Sequence, residues 1–107
     1  MFVMELLPET GIIDATKIGR WWHKEKEIDI VALNEKTKEA LFCECKWQQN
    51  VDGEKALDAL KEKASHVEWK RDKEHYAVFA KSFLKKPKQS GAFFFDMKDI
   101  EKIIKRK

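Results

Sequence analysis

The residues Glu27–Trp47, EIDIVALNEKTKEALFCECKW, contain two apolar runs that are separated by a short polar segment. Each run has the length of a β-strand, and the segment between them, Asn34–Glu39, has the charged composition of a hairpin loop. If Leu33 and Ala40 are the last paired residues beside the loop, the alternation of side chains fixes every pair further along the two strands. The stretch therefore predicts an antiparallel hairpin with a defined register.

This register predicts which side chains of the hairpin share a face. Asp29 lies directly opposite Glu44, and Glu27 lies opposite Lys46, on a face that carries the charges. The other face is wholly apolar and is expected to be buried. Its predicted members are Ile28, Ile30, Ala32, Leu41, Cys43, Cys45 and Trp47.

The carboxylates of Asp29 and Glu44 are expected to repel each other across the hairpin. Directly opposed residues have Cβ atoms about 5 Å apart. Two like charges at that distance repel by roughly 3 kcal/mol at an effective dielectric constant near 20. Three kinds of compensation are open: one carboxylate stays protonated, nearby lysines offset the charge, or a divalent cation binds between the acids.

A divalent cation would use both acids. Asp29 and Glu44 would supply carboxylate oxygens, and the backbone carbonyl of Cys45 is a further candidate ligand for Mg²⁺. A bound Mg²⁺ activates a water molecule and offsets charge that develops on a phosphate. Lys46, on the same face of its strand as Glu44, would hold that water or that phosphate. The alternative is a solvated strand face with ordinary salt bridges.

The rest of the chain predicts further strands and helices around the hairpin. After Trp47 the apolar residues recur at helical spacing, which indicates a helix from about Gly53 to Glu68 with Asp52 as its cap. A strand, a helix and a second strand in this order imply a right-handed crossover that makes the two strands parallel. The other predicted elements are a helical turn at Phe2–Leu7, strands at Lys17–Trp22, Tyr76–Ala80 and Ala92–Asp96, and a basic C-terminal helix with Ile100, Ile103 and Ile104 on one stripe. The predicted class is α/β, a mixed sheet flanked by helices.

Length and composition limit the class of protein. The 107 residues fit one domain, and a formal net charge of +3 gives only a weak preference for anionic partners. No apolar run approaches the roughly 20 residues that cross a bilayer, and the start of the chain lacks the features of a signal peptide. We therefore expect a cytoplasmic protein without a membrane partner. Cys43 and Cys45 are too close along a strand for an unstrained disulfide and are expected to be reduced.

An acid on one strand and an acid-x-lysine triplet at the end of the next strand resemble the motif of the PD-(D/E)xK nuclease superfamily. Here the first acid is Asp29 and the triplet is Glu44–Lys46, while Ile28 stands where the motif has its proline. The longer stretches Ile18–Trp47 and His75–Phe83 look like the nuclease-like domain at the C-terminus of many archaeal ATPase proteins. The resemblance covers most of the chain.

The resemblance implies a fold, a site and partners. Residues 1–107 would form a single restriction-endonuclease-like domain, either complete or a fragment of a longer ATPase-containing chain. Asp29 and Glu44 would bind Mg²⁺ or Mn²⁺, and Lys46 would be the catalytic lysine of an endonuclease that hydrolyses DNA phosphodiester bonds. The implied partners are DNA, an ATPase module in cis or in trans, and a second copy in a homodimer. The alternative is a catalytically inactive module of the same fold that binds DNA or regulates an associated archaeal ATPase.

Four further residues are candidates for auxiliary roles. Glu27 and Gln48 share the strand parity of the charged face and could orient water or DNA, although a plain salt bridge with the strand lysine is the alternative for Glu27. In an extended strand Trp21 and Trp22 point to opposite faces, so one of them is expected in the core and the other is free to stack on a base. Trp22 and Lys24 are therefore the candidates for nucleic-acid contact.

Overall fold

A computed structural model describes residues 11–105 of the chain, and the helical turn predicted at Phe2–Leu7 lies outside them. The strands are β1 (Lys17–His23), β2 (Lys26–Asn34), β3 (Glu39–Lys46), β4 (Val51–Asp52), β5 (Lys73–Ala80), β6 (Phe83–Lys85) and β7 (Ala92–Phe95), and the helices are α1 (Gly53–Ala64) and α2 (Met97–Lys105). These helices and strands confirm the predicted α/β class. Neither helix has the length and apolar content needed to cross a membrane.

The main sheet has five strands in the order β1-β2-β3-β5-β7. The pairs β1–β2 and β2–β3 are antiparallel, so β1 extends the predicted hairpin into a three-stranded meander. Strand β5 runs parallel to β3, and β7 runs parallel to β5. The parallel arrangement follows from the connection through α1, because a chain that leaves β3 through a helix returns in the same direction. The short strands β4 and β6, which the sequence did not predict, form a separate parallel pair.

The register of the central hairpin is the predicted one beside its loop. Leu33 pairs with Ala40, and the pairing continues to Ile30 with Cys43. The side chain of Asn34 organises the loop, since its Oδ1 accepts hydrogen bonds from the backbone N–H groups of Lys36 and Thr37. The turn chemistry and the apolar alternation therefore agree, and both fix the pairing.

The predicted apolar face is wrong at one end of β2. On the β1 side Gly19 pairs with Val31 and Trp21 pairs with Ile28, so two residues of β2 lie opposite Arg20 alone. This β-bulge shifts the alternation of side chains by one position. As a result Ile28 lies in the core cluster of Val31, whereas the sequence placed it with Ile30.

Both faces of the sheet are buried, and this also corrects the expectation of one charged face. One cluster lies under α2 and contains Ile13, Ile30, Ala32, Leu41, Cys43, Ala77, Phe79, Ile100 and Ile103. The other lies under α1 and contains Ile28, Val31, Ala40, Phe42, Val51, Ala56, Leu60, Ala64, Val78 and Ala80. Trp47 follows β3 and is 44% exposed, so it belongs to neither cluster. The face of β3 that carries Glu44 is thus mostly core, with one acid at its end.

Helix α1 begins where the sequence predicted and ends earlier. Its cap is Asp52, whose carboxylate accepts hydrogen bonds from the backbone N–H groups of Glu54 and Lys55. The helix ends at Ala64, and Arg71 donates to the carbonyl of Ala64 and to two later carbonyls, so it satisfies backbone groups at and beyond the helix end. The predicted continuation to residue 68 is therefore wrong.

Gly53 fixes the position of the helix start. A Cβ atom at Gly53 would collide with the backbone carbonyl of Lys85, and it would also touch Pro87 and Phe94. The first turn of α1 therefore packs directly on the segment around β6, which a larger residue would push away.

The cap of α1 can be tested separately from the rest of the helix. We expect Asp52→Ala to lower the free energy of unfolding by about 1 kcal/mol, because two backbone N–H groups lose their acceptor. Asp52→Asn keeps an acceptor oxygen and should cost much less, so urea unfolding of the two variants beside the parent checks the assignment. Equal losses for both would mean that the charge of Asp52, and not its capping oxygen, is what matters.

Candidate functional site

The candidate site lies where β2 and β3 stop pairing. Beyond Ile30 and Cys43 the next opposed residues would be Asp29 and Glu44, and the regular pairing ends just before them. Instead, the Oδ2 atom of Asp29 accepts a hydrogen bond of 2.8 Å from the backbone N–H of Cys45. Asp29 is half-buried and lies in the bulge of β2. Its side chain thus replaces a strand partner and brings its carboxylate next to the residue that follows Glu44.

Glu44 is a buried acid with a lysine beside it. The residue is only 8% exposed, and its Oε1 atom lies 2.5 Å from the Nζ atom of Lys63 in α1. Its Oε2 atom is buried and has no hydrogen-bond partner among the described residues. Burial of a carboxylate is costly unless all of its lone pairs find partners, so the free oxygen marks an incompletely satisfied charge.

The structure compensates the predicted repulsion with a lysine, and that lysine is not Lys46. Asp29 is held by a backbone amide and Glu44 by the ammonium of Lys63, so each acid has its own partner. Lys63 was not predicted, because its contact with Glu44 joins a helix to a strand and depends on how the two pack. The one signal available was its place beside the buried stripe of α1, three residues after Leu60 and next to Ala64.

Lys46 and Gln48 lie together in a cleft at the carboxyl end of β3. The cleft has a volume of about 420 Å³ and is also lined by Asn50, Asp52 and Lys55, among others. Asp29 and Glu44 are not among its lining residues. In an open α/β sheet, the region beyond the carboxyl ends of parallel strands is a common place for ligands. The cleft therefore brings two predicted site residues and a further lysine to the same end of the sheet.

Glu27 lies on the β1 side of the site, and so does the turn Lys24–Glu25 between β1 and β2, which we call the hairpin tip together with Trp22 and His23 beside it. Glu27 is exposed and pairs with Trp22 across β1 and β2, and within the described part of the chain no ion pair joins it to Lys46. Trp22 is 68% exposed, while Trp21 packs against the cluster under α1, so the predicted division of the two tryptophans is confirmed. Lys24 occupies the tight turn between the strands with a φ of 57°.

A polar cluster connects this hairpin tip to the end of α1. The carboxylate of Glu62 accepts from the ammonium of Lys26 at 2.5 Å and lies 3.2 Å from the Nε2 atom of His66. His23 stacks on His66 with ring centroids 6.3 Å apart. The hydrogen bonds from Lys26 and His66 hold the pKa of Glu62 below its usual value. This cluster anchors the β1–β2 turn over the helix that carries Lys63.

The cysteines and the acids influence each other. Burial, followed by the charges of Asp29 and Glu44, raises the pKa of the Cys43 thiol and that of the Cys45 thiol. Both residues are free thiols, as expected from their spacing. A raised pKa keeps them protonated and weakly nucleophilic at neutral pH, so they are not candidates for covalent catalysis.

A metal at this site would depend on few protein ligands. Within residues 11–105 no three His, Cys, Asp or Glu side chains are grouped in a way that could hold a metal ion. Magnesium, however, commonly keeps several waters and binds through one or two carboxylates. The free oxygen of Glu44 and the nearby carboxylate of Asp29 fit that mode, with the backbone carbonyl of Cys45 as the remaining candidate.

Comparisons with known proteins give a family without an assigned activity. A family model, DUF234, described as archaeal and bacterial proteins of unknown function, matches residues 2–67. An uncharacterized protein of Methanocaldococcus jannaschii is 38% identical over 87 residues, which are 78% of this chain and 19% of that protein. The chain thus spans about a fifth of the length of this relative. No solved structure matches the chain.

The ion pair of Glu44 and Lys63 can be measured by a double-mutant cycle in the presence of EDTA. We expect Glu44→Gln to lower the free energy of unfolding by about 2 kcal/mol, because the side chain of Lys63, which is 25% exposed, loses its charged partner. In combination with Lys63→Met the loss should be smaller than the sum of the single losses, with a coupling of about 1 kcal/mol or more.

The matched control for this cycle is Glu62→Gln, which removes an acid from an exposed ion pair with Lys26 in the same region. Its loss should be small because solvent screens that pair. A coupling near zero for Glu44 and Lys63 in urea unfolding would contradict the ion pair.

Proposed function

The chain belongs to the DUF234 family of archaeal and bacterial proteins of unknown function, and we propose that it is a metal-dependent endonuclease domain that hydrolyses DNA phosphodiester bonds. The observation that carries this proposal is the buried carboxylate of Glu44, which has one unsatisfied oxygen and lies beside Asp29 at the end of the β2–β3 pairing. Lys46 follows two residues later on the same strand. These are the three residues that match the nuclease motif.

The energetic cost of the site supports a functional role. A buried acid contributes less to stability than an apolar residue of similar size, even when a lysine accompanies it. The surrounding face of β3 is apolar, with Ala40 and Phe42 fully buried. Packing alone would therefore favour a leucine or valine at position 44. A buried polar atom that lacks a hydrogen-bond partner calls for a specific explanation, and a functional site is one such explanation.

The architecture is consistent with a restriction-endonuclease-like fold, which we include in the proposal. An antiparallel meander of three strands is followed by the crossover helix α1 and by the parallel strand β5. The acids lie at the carboxyl end of β3, where β2 separates from it. The half-buried carboxylate of Asp29 lies at this opening, and Glu44 lies just inside it, so a large substrate would have to approach the acids from the end of the sheet.

Each of the three residues has a specific part in the proposed chemistry. Asp29 and Glu44 would hold Mg²⁺ or Mn²⁺, which when bound supplies an activated water and offsets negative charge on the phosphate. Lys46 carries a compact positive charge at the mouth of the cleft and would orient the attacked phosphate. Its neighbours Gln48 and Lys55 line the same cleft and would contact adjacent phosphates.

DNA is the proposed substrate because aromatic and basic side chains surround the site. Trp22 presents most of its indole to solvent, and Lys24 follows it in the turn of the hairpin. Exposed aromatic rings stack on bases, and lysines neutralise phosphates. These residues lie on the β1 side of the sheet, while the cleft of Lys46 lies at the end of β3. Together they would bind a strand on both sides of the acids.

A catalytically inactive module of the same fold is the second candidate function. The observation that favours it is the ion pair of Lys63 with Glu44, since a carboxylate with its own ammonium needs no metal. Such a module would bind DNA or regulate an associated ATPase, in cis or in trans. The great length of the Methanocaldococcus relative compared with this chain leaves room for such a partner domain.

Cleavage assays separate the two candidates. We expect the parent to cut linear, branched or single-stranded DNA only when Mg²⁺ or Mn²⁺ is added, and we expect Asp29→Ala and Glu44→Gln each to reduce the rate at least about a hundredfold, because each removes a metal ligand. Asp58→Asn, which neutralises an exposed acid on α1, is the matched control and should cleave like the parent.

Loss of cleavage must be distinguished from loss of fold by circular dichroism of each variant. DNA binding by the parent without any cleavage on the three substrates would favour the inactive module. Cleavage that persists in folded Glu44→Gln protein would exclude the proposed site.

Binding to DNA tests the role of the hairpin tip independently of cleavage. We expect Trp22→Ala to raise the dissociation constant for single-stranded DNA by about tenfold, which corresponds to the loss of one stacked base. The matched control is Leu84→Ala, because Leu84 is also 68% exposed but lies on β6. Fluorescence anisotropy in EDTA gives both constants, and an unchanged value for Trp22→Ala would remove this residue from the interface.

A further inference from the structure

Among the residues that the structure describes, Lys63 of α1 is the charged side chain that directly contacts the buried acid of the proposed site. Its Nζ atom lies 2.5 Å from Oε1 of Glu44, and the two side chains are only 25% and 11% exposed. The neighbouring acid on the helix, Glu62, is already engaged by Lys26 and His66. The ammonium of Lys63 therefore neutralises Glu44 specifically, and not a general acidic surface.

An ammonium group and a divalent cation bind to the same atoms of a carboxylate. Both are attracted by the negative oxygens, and neither tolerates the other within a few ångströms, because like charges repel strongly in a poorly solvated place. Lys63 occupies Oε1 of Glu44, and within residues 11–105 no hydrogen-bond partner reaches Oε2. A metal bound at Glu44 would therefore have to share the carboxylate with Lys63 or displace it.

We propose that Lys63 is a built-in counterion that competes with the divalent cation for Glu44 and thereby sets the metal affinity of the site. This inference rests on the proposed function, because it assumes that Asp29 and Glu44 bind the metal. Lys63 is a positioning residue in this role: it controls the charge of a metal ligand and does not itself touch the substrate.

The position of Lys63 allows it to move without any change in the fold. The backbone of α1 is fixed by the buried residues Leu60 and Ala64 on either side of it. The side chain of Lys63 is a flexible four-carbon chain, and a quarter of it is exposed. Rotation about its bonds can therefore move the ammonium from Glu44 into solvent. A metal would then replace it at a pre-formed carboxylate, with no rearrangement of the sheet.

This role differs from that of Lys46. Lys46 lines an open cleft that lacks both candidate ligands, whereas Lys63 contacts one of them directly. The two lysines therefore act at different steps. Lys46 would face the phosphate once the metal is bound, and Lys63 would determine at what metal concentration the site becomes occupied.

Titration with Mn²⁺, followed by the electron paramagnetic resonance signal of the free ion, tests the competition. Lys63→Met removes the charge and keeps a long apolar side chain, so the dissociation constant of Mn²⁺ should fall at least about tenfold below that of the parent. Lys63→Arg keeps the charge and should bind like the parent. Lys61→Met is the matched control, because Lys61 lies on the same helix over the ring of Tyr76, and it should leave the constant within about twofold.

The double variant Lys63→Met with Glu44→Gln shows whether any gain uses the proposed ligand, because it should lose the tighter binding. If the parent binds Mn²⁺ and Lys63→Met binds it no more tightly, the competition is excluded while the proposed metal site stands. If neither binds Mn²⁺, the metal site fails and the inference fails with it. Binding by Lys63→Met alone would support the competition and argue against a parent that is active at ordinary metal concentrations.

A second measurement uses the parent protein alone, so it does not depend on whether a variant folds. Reductive methylation of lysines, read by peptide mass spectrometry, should modify Lys63 several times faster when Mn²⁺ is present, because the displaced ammonium becomes accessible. Lys61 serves as the internal reference and should react at the same rate with and without the metal. A Lys63 rate that is unchanged at saturating Mn²⁺, in protein shown by titration to bind the ion, would overturn the proposal.

Discussion

The end of pairing between β2 and β3 is the constraint on which the site and much of the core depend. An extra residue in β2 opposite Arg20 shifts the alternation, so Ile28 and Ile30 enter different core clusters. The ladder then stops, and the carboxylate of Asp29 supplies the acceptor that the backbone N–H of Cys45 would otherwise lack. Oδ2 of Asp29 thus has a structural role, because it accepts this hydrogen bond. Oδ1 is the oxygen that the carboxylate can offer to a ligand. A bulge at a sheet opening commonly redirects a side chain toward a site.

Burial on both faces makes the charge at the end of β3 expensive. Helix α1 covers the face that carries Glu44, and this helix also delivers Lys63, so the element that completes the core also neutralises the acid. An ion pair of this kind adds little net stability compared with an apolar pair of the same volume. What it provides is a charged partner for Glu44 within an otherwise apolar face.

Local patterns predicted the parts of the fold that local forces determine. The hairpin register followed from the alternation and the loop, the capping role of Asp52 from its place before a helical stripe, and the parallel strand from the crossover. The bulge and the end of α1 depend on tertiary contacts that no pattern in the chain contains, and the place of Lys63 beside the buried stripe of α1 does not by itself reveal its partner. Burial on both faces does have a signal in the sequence, because the runs IVAL and ALFC are nearly continuous in apolar residues, as is typical of such strands. The sequence nominated the three motif residues as candidates, but it did not predict that Lys63 pairs with one of them, Glu44.

The geometry of α1 connects stability to the proposed chemistry. The helix is fixed at its start, where Asp52 caps it and where Gly53 packs against the carbonyl of Lys85. It is fixed at its end by Arg71, which binds the carbonyl of Ala64, the residue after Lys63. The distance from Lys63 to Glu44 is therefore set by contacts that lie at both ends of the helix and outside the site. A substitution at either end of α1 would change the distance between Lys63 and Glu44 without contacting either residue. The reason is that Lys63 moves with the helix, whereas Glu44 is held in the sheet.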